Sequence, residues 1–182
     1  MWPHTVAILI GGQSKRMRTP KQHVKLPNGE TMLEAMLSFA KETAKSTVVV
    51  GGEVEGLQSI HDRRNKGGPV AGIEALLHSG LDDRYLVVGC DMPMLQIKDV
   101  QPLLECRRTA VFQSKNQLQP LPLLIHTEEL ERCTTYLNSG KKSLLGFIES
   151  TVYESIEIDL TNNPILTNIN SPEDLSRLFD LA

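Results

Sequence analysis

Two stretches of this chain carry residue types suited to chemistry, and each follows an apolar run. In Val6 to Lys21 (VAILIGGQSKRMRTPK), five apolar residues break into a loop with Gly11-Gly12 and the cations Lys15, Arg16, Arg18 and Lys21. Between Met1 and Gly29 there are five Lys or Arg residues and no acid, although the whole chain has a net charge of -3. Glycines let backbone N–H groups approach a ligand, and Arg grips phosphate oxygens through a planar fork, so this local excess of cations suits a phosphate-bearing substrate. In the second stretch, Tyr85 to Cys90 (YLVVGC) delivers Asp91 into Asp91-Met92-Pro93. A carboxylate at the end of a buried strand can hold Mg2+ against phosphates, because that ion takes one or two carboxylates and completes its shell with substrate oxygens and water. Simple turns would explain Gly-Gly and Asp-x-Pro equally well on local grounds. Neither G-x-G-x-x-G nor a Walker A motif is present.

The elements that must position these residues read as an α/β chain. At 182 residues it fits one domain, spanning 1–182, with room for a full core and no need of disulfides or metal staples. Val6 to Ile10, Thr47 to Val50 and Tyr85 to Cys90 are short β-branched runs of the kind buried on both faces of a parallel sheet. A turn at Asn28-Gly29 precedes a helix capped by Thr31, with Glu34 three residues on and an apolar stripe running to about Thr43. Further helices are expected from about Val70 to Ser79, Ile97 to Cys106, Thr127 to Leu137 with Thr127 as cap, and Ser143 to Glu149. Strands are expected at Thr109–Gln113, Gln119–Ile125 and Val152–Ile158. Pro120 and Pro122 place the second of these at an edge or entry position. Ser171 as N-cap, Pro172 at the first helical position and Glu173-Asp174 in the first turn form a strong start for a last helix.

Composition narrows the function classes. The modest net charge gives no global attraction to nucleic acid, so no nucleic-acid partner is expected. Cys90, Cys106 and Cys133 are odd in number and lack metal or disulfide spacing, and the five His residues show no ligand spacing, which leaves these side chains structural by default. No apolar stretch approaches the ~18 residues of a membrane span, and the start lacks a signal peptide's charged region and longer apolar core. The expectation is a soluble cytoplasmic protein with no membrane partner.

The loop resembles the signature of the MobA-like nucleotidyltransferases, L-x-G-G-x-S-x-R-M-G-x-x-K, through Leu9, Gly11, Gly12, Ser14, Arg16, Met17 and Lys21. Arg18 stands where that family usually has Gly, and Pro20 where an acid commonly precedes the lysine. Gly67-Gly68-Pro69-Val70-Ala71-Gly72 is similar to its G-P-L-A-G segment, with Asp62 at the place of an upstream Asp that contacts the nucleotide. Cys90-Asp91-Met92-Pro93 is similar to its metal-binding segment, and Thr167 to Leu175 (TNINSPEDL) to its N-x-N-T-P-E-D-L ending. The resemblance implies a three-layer, doubly wound, mostly parallel sheet, a nucleotide-diphospho-sugar transferase-like variant of the Rossmann architecture.

It also implies an activity, closest to the guanylyl branch: transfer of GMP from GTP to molybdenum-molybdopterin, with Mg2+ as cofactor and pyrophosphate as by-product. Arg16, Lys21 and Asp91 would be catalytic, with Asp91 holding the metal. Leu9, Ile10, Gly11, Gly12, Lys21, Glu53, Asp62, Gly68, Pro69 and Asp91 would bind nucleotide. Glu53 falls where guanine-specific relatives place a polar residue, and its carboxylate could accept from both N1 and N2 of guanine. Asn168 and Asn170 would lie near the pterin, and transient contact with molybdoenzymes or cofactor-insertion proteins would follow. Two alternatives stay open: a cytidylyl or other-acceptor transferase of the same superfamily, and a non-catalytic nucleotide-binding protein with a degenerate loop.

Overall fold

The computed structural model describes residues 2–10, 20–65, 67–160, 166 and 168–179. The loop residues Gly11, Gly12, Ser14, Lys15, Arg16, Met17 and Arg18 lie outside them, as does Thr167 of the TNINSPEDL segment. In chain order the strands are β1 (Trp2–Leu9), β2 (Ala44–Val50), β3 (Gln58–Ile60), β4 (Arg84–Gly89), β5 (Ala110–Ser114), β6 (Gln117–His126) and β7 (Glu154–Glu157). The helices are α1 (Met32–Thr43), α2 (Pro69–His78), α3 (Ile97–Leu104), α4 (Leu130–Asn138), α5 (Leu144–Ile148) and α6 (Pro172–Phe179). No helix among the described residues is long and apolar enough to cross a membrane.

Among the described residues, seven strands form one sheet in the order β3-β2-β1-β4-β6-β5-β7. Of these, β6 alone runs against the rest: it is antiparallel to both β4 and β5, while β7 is parallel to β5. Successive side chains of a strand point to opposite faces, so each run that looks uniformly apolar in sequence feeds two cores. Val6, Ile8 and Ile10 of β1 and its exit pack with Leu86, Val88 and Cys90 against α1 and α3. Ala7, Tyr85 and Val87 pack on the other face against α2, α4 and α5. Val6, Ala7, Ile8, Leu86 and Val87 are fully buried, each of the larger ones stabilising the fold by about 1.5–3 kcal/mol.

Local signals were reliable where they were chemically specific. Thr31 accepts from the Glu34 N–H while the Glu34 carboxylate accepts from the Thr31 N–H, the expected capping box, and the helix ends at Thr43. Ser143 caps α5, and Ser171 Oγ accepts from Asp174 N at the start of α6.

Two expectations are corrected. The strand carrying Pro120 and Pro122 is internal, not at an edge, and of the two positions expected only entry holds: pairing with β4 begins at Leu123, after both prolines, and the register with β5 slips between Val111 and Phe112. Thr127 does not cap a helix. It opens a single 3-10 turn, Thr127–Glu129, and its hydroxyl donates to the Asp83 carbonyl at 3.3 Å, which ties the end of β6 to the start of β4.

Candidate active site

β1 leads into α1 on one face of the sheet, whereas α2 leads into β4 on the other, so the connections part company between β1 and β4. Open α/β sheets leave a crevice beyond the strand ends at such a point. Leu9, Ile10 and Asp91 all emerge there. Ile10 N donates to the Val50 carbonyl at 3.0 Å and Cys90 N to the Leu9 carbonyl at 3.1 Å, so the ends of β2, β1 and β4 stay in register up to the crevice.

Three of the residues singled out in sequence converge on one ammonium. Lys21 Nζ donates to Asp91 Oδ2 at 2.6 Å and to Asn170 Oδ1 at 2.5 Å. Apolar packing brings these distant segments together: Val24, Leu26, Met32 and Ile169 share a small buried cluster, and Ile169 N donates to the Asp91 carbonyl at 2.8 Å. Asn168 is exposed, and its carbonyl accepts from the Asn170 amide at 3.4 Å. Lys21 and Asp91 keep side-chain exposures of 20% and 15%, so the pair is largely desolvated yet reachable. Asp91 is also held from behind. A Cβ on Gly89 would stand 2.3 Å from Asp91 Oδ1, so only a glycine two residues before the aspartate leaves room for that carboxylate.

Beside this cluster lies a cavity of about 440 Å³ lined by Leu9, Val50, Gly51, Asp62, Gly68, Pro69 and Gly72. Four of these, Leu9, Asp62, Gly68 and Pro69, were candidates in sequence; Val50, Gly51 and Gly72 were not assigned. Gly72 has a clear reason for its lack of a side chain: a Cβ would meet Val50 Cγ1 at 2.8 Å and Asp62 Oδ1 at 3.4 Å, shutting the cavity. Gly68, at φ +66°, precedes Pro69 at the first position of α2, whose N-terminus carries partial positive charge although Pro69 has no N–H and the Ala71 N–H already donates to the Gly68 carbonyl. Burial raises the Asp62 carboxyl above its ordinary range, with the neighbouring His61 pulling the other way.

Two candidates sit apart from this lining. Ile10 sends its side chain into the α1/α3 core, which leaves only its backbone for a ligand. Glu53 is strongly exposed, and its carboxylate stands 3.5 Å from His61 Nε2. Gly11, Gly12 and Arg16 lie outside the described residues.

The donor set at Asp91 and Asn170 is oxygen only. That suits a hard divalent ion, and the ammonium these oxygens already share shows that a cation is stabilised between them. Among the described residues no group of three or more His, Cys, Asp or Glu gathers, so an ion here would draw most of its ligands from phosphates and water, as Mg2+ does. Burial pushes the Cys90 and Cys133 thiols up to about 12, which keeps both protonated, and it raises the partly exposed Cys106 thiol as well.

Comparison with known proteins places this geometry. A probable molybdenum cofactor guanylyltransferase of Carboxydothermus hydrogenoformans is 26% identical over 190 residues, covering 97% of this chain and 95% of the relative. A molybdenum cofactor guanylyltransferase of Photobacterium profundum is 25% identical, covering 93% and 92%. Among solved structures, molybdopterin-guanine dinucleotide biosynthesis protein A of Archaeoglobus fulgidus superposes with a TM-score of 0.79 at 21% identity, covering 97% of both chains. The 2-C-methyl-D-erythritol 4-phosphate cytidylyltransferase of Thermus thermophilus superposes with a TM-score of 0.71 at 18% identity, covering 98% of both. These neighbours share the nucleotide-diphospho-sugar transferase fold. The family model described as the MobA-like NTP transferase domain matches residues 6–153, and the chain therefore belongs to that family of nucleotidyltransferases.

Proposed function

We propose that the protein, acting as a single domain, transfers GMP from GTP to molybdenum-molybdopterin, releasing pyrophosphate and forming the guanine dinucleotide cofactor. One observation carries the reading: Lys21, Asp91 and Asn170, drawn from three distant segments, meet at the crevice beside a cavity of about 440 Å³. The relatives named above as molybdenum cofactor guanylyltransferases supply the identity of the substrates.

In this reading the acceptor's terminal phosphate oxygen forms a bond to the α-phosphorus of GTP, and the bond from that phosphorus to the β-phosphate bridging oxygen breaks. The phosphate nucleophile is already ionised, so no general base is assigned. Charge gathers on the non-bridging and leaving oxygens, and preorganised cations stabilise it. Lys21 supplies one such cation, and Arg16 a second. Asp91, supported by Asn170, would hold Mg2+, which neutralises triphosphate charge when bound. Gly11 and Gly12 would offer backbone N–H groups to phosphate oxygens and the start of α2 its partial positive charge, while Leu9, Asp62, Gly68 and Pro69 wall the nucleoside end. Asn168 and Asn170 face the pterin.

A cytidylyl transfer remains the second reading, favoured by one observation: Glu53 is exposed beside the cavity rather than lining it, so its claim on guanine is weak. The experiment that decides is pyrophosphate release with Mg2+, molybdenum-loaded molybdopterin and either GTP or CTP, with Asp91→Asn as control. Release with GTP alone, lost in the variant, is the expected result. Release with CTP alone changes the base, and silence with both overturns the transfer.

A further inference from the structure

Every residue of α2 from Val70 to Leu77 is buried, and one of them is an acid. Glu74 is only 2% exposed, in a position where a lone carboxylate would be strongly destabilising. One guanidinium takes both of its oxygens: Arg64 Nε donates to Oε2 at 2.6 Å and Nη2 donates to Oε1 at 2.7 Å. The remaining Nη1 donates to Asn138 Oδ1 at 2.7 Å, on the last residue of α4. Arg64's hydrogen bonds outweigh burial and hold the Glu74 carboxyl below its ordinary range, so the pair is ionic at neutral pH.

Arg64 itself does not line the cavity, but it stands two residues after Asp62 and four before Gly68, which do. On the far side of it, Gly67 is pressed so closely onto α2 that a Cβ there would fall 2.3 Å from the Ala71 Cβ. Gly68 backs onto the connection from α4 to α5, with its Cβ direction 3.3 Å from the Lys142 carbonyl. One planar fork thus ties the connector that carries Asp62 to α2, and through Asn138 it ties the same connector to the loop behind Gly68.

We propose that Arg64 and Glu74 form a positioning pair, which sets the affinity for the nucleoside triphosphate by holding Asp62 and Gly68 in place without touching the ligand. This rests on reading the cavity as the nucleotide's site. Glu74 is buried while Arg64 keeps 32% of its side chain exposed, and exchanging both together for apolar residues of similar size leaves no buried charge without its partner, so fold and positioning are separable. The test is Arg64→Met combined with Glu74→Leu, compared with Arg64→Lys and with Asn138→Ala, whose site is exposed. GTP binding is titrated with Mg2+ present, and amide hydrogen exchange is followed over residues 61–68.

In the double variant the Kd for GTP rises about 10-fold and the 61–68 amides exchange faster, while β1 and β4 keep wild-type protection. Arg64→Lys recovers only part of the affinity, because an ammonium cannot span both carboxylate oxygens. Asn138→Ala raises Kd about 2-fold and provides a folded variant should the double variant not fold. Wild-type Kd and exchange in the folded variants overturn the pair's role. Wild-type protein that binds GTP yet releases no pyrophosphate overturns the transfer reading instead, and the Kd ratios still judge the pair.

Discussion

At the carboxyl ends of β1 and β4 the sheet presents paired but reachable charge, and at the amino ends of the same strands it buries polar groups. Lys21 and Asp91 keep partial exposure and exchange a 2.6 Å ion pair. His4, at the other end of β1, is fully buried, and both its ring nitrogens lack a hydrogen-bond partner among the described residues. Burial, with the Arg84 and Lys45 charges and against the pull of Asp82, lowers its pKa to about 4, so the ring is neutral. Nearby, burial pushes the Asp82 carboxyl up, but hydrogen bonds from Lys45 and Thr5 outweigh it and hold the group below its ordinary range. Charge is kept available at the end where a polyanionic ligand would sit and suppressed or fully paired at the other. The difference lies in which groups are desolvated: at the amino end His4 is fully buried and Asp82 is only 7% exposed while its partner Lys45 keeps 48%, whereas at the carboxyl end Lys21 and Asp91 both stay partly exposed.

The largest way to break this comparison is Lys21→Ala. If the carboxyl end works as proposed, kcat/KM for pyrophosphate release falls about 10²–10³-fold, or roughly 3–4 kcal/mol of transition-state stabilisation, with the melting temperature little changed. Unchanged kcat/KM would remove Lys21 from catalysis. Gly89→Ala sharpens the same end without altering charge. Its Cβ meets the Asp91 carboxylate, so activity should fall by up to about 10²-fold while circular dichroism stays native. Full activity would show that Asp91 need not hold its present position.

At the amino end the expected effect is on stability. The unfolded chain takes up a proton on His4 below about pH 6.5, whereas the folded chain resists doing so until about pH 4. The stability that depends on a neutral ring is therefore complete above the upper value and lost as pH falls towards the lower one, by roughly 3 kcal/mol. In urea unfolding His4→Leu should flatten the profile over that window, leaving the part due to His126, which burial and Arg84 shift in the same direction. Because His4 has no hydrogen-bond partner to lose among the described residues, this apolar replacement should be neutral or stabilising at neutral pH. A profile identical to wild type would show that His4 does not carry the dependence. The smallest effect belongs to the start of α1, one residue before Met32 of the packed cluster: Thr31→Ala removes the capping box and should cost about 1 kcal/mol in unfolding free energy, with KM changed much less than in Gly89→Ala.

Legibility followed the range of the interaction responsible. Thr31 with Glu34, and Ser171 with Asp174, act across three residues, so their hydrogen bonds could be anticipated from spacing alone. The β-branched runs revealed strands, but the place of β6 inside the sheet could not be read from Pro120 and Pro122, because a register slip far from any local rule accommodates them. Thr127 misled for a related reason: its hydroxyl finds Asp83, 44 residues away, in place of its own helix. Arg64 left only a faint trace, the isolated acid in the otherwise apolar Val70–Leu77, which signals that a partner must exist without saying which.

What the sequence by itself determined is the set of elements and the inventory of chemistry: buried strands ending in glycine and aspartate, a basic loop, and strongly capped helices. These depend on side-chain type and on neighbours within about one turn of helix or one pleat of strand. Tertiary structure alone decided that Lys21 lies between Asp91 and Asn170, partners 70 and 149 residues away in the chain, and that Arg64 joins α2 to α4. Such contacts arise because burying apolar surface, here Val24, Leu26, Met32 and Ile169, is non-directional and draws segments together irrespective of their separation; the polar geometry is then whatever that packing leaves within reach.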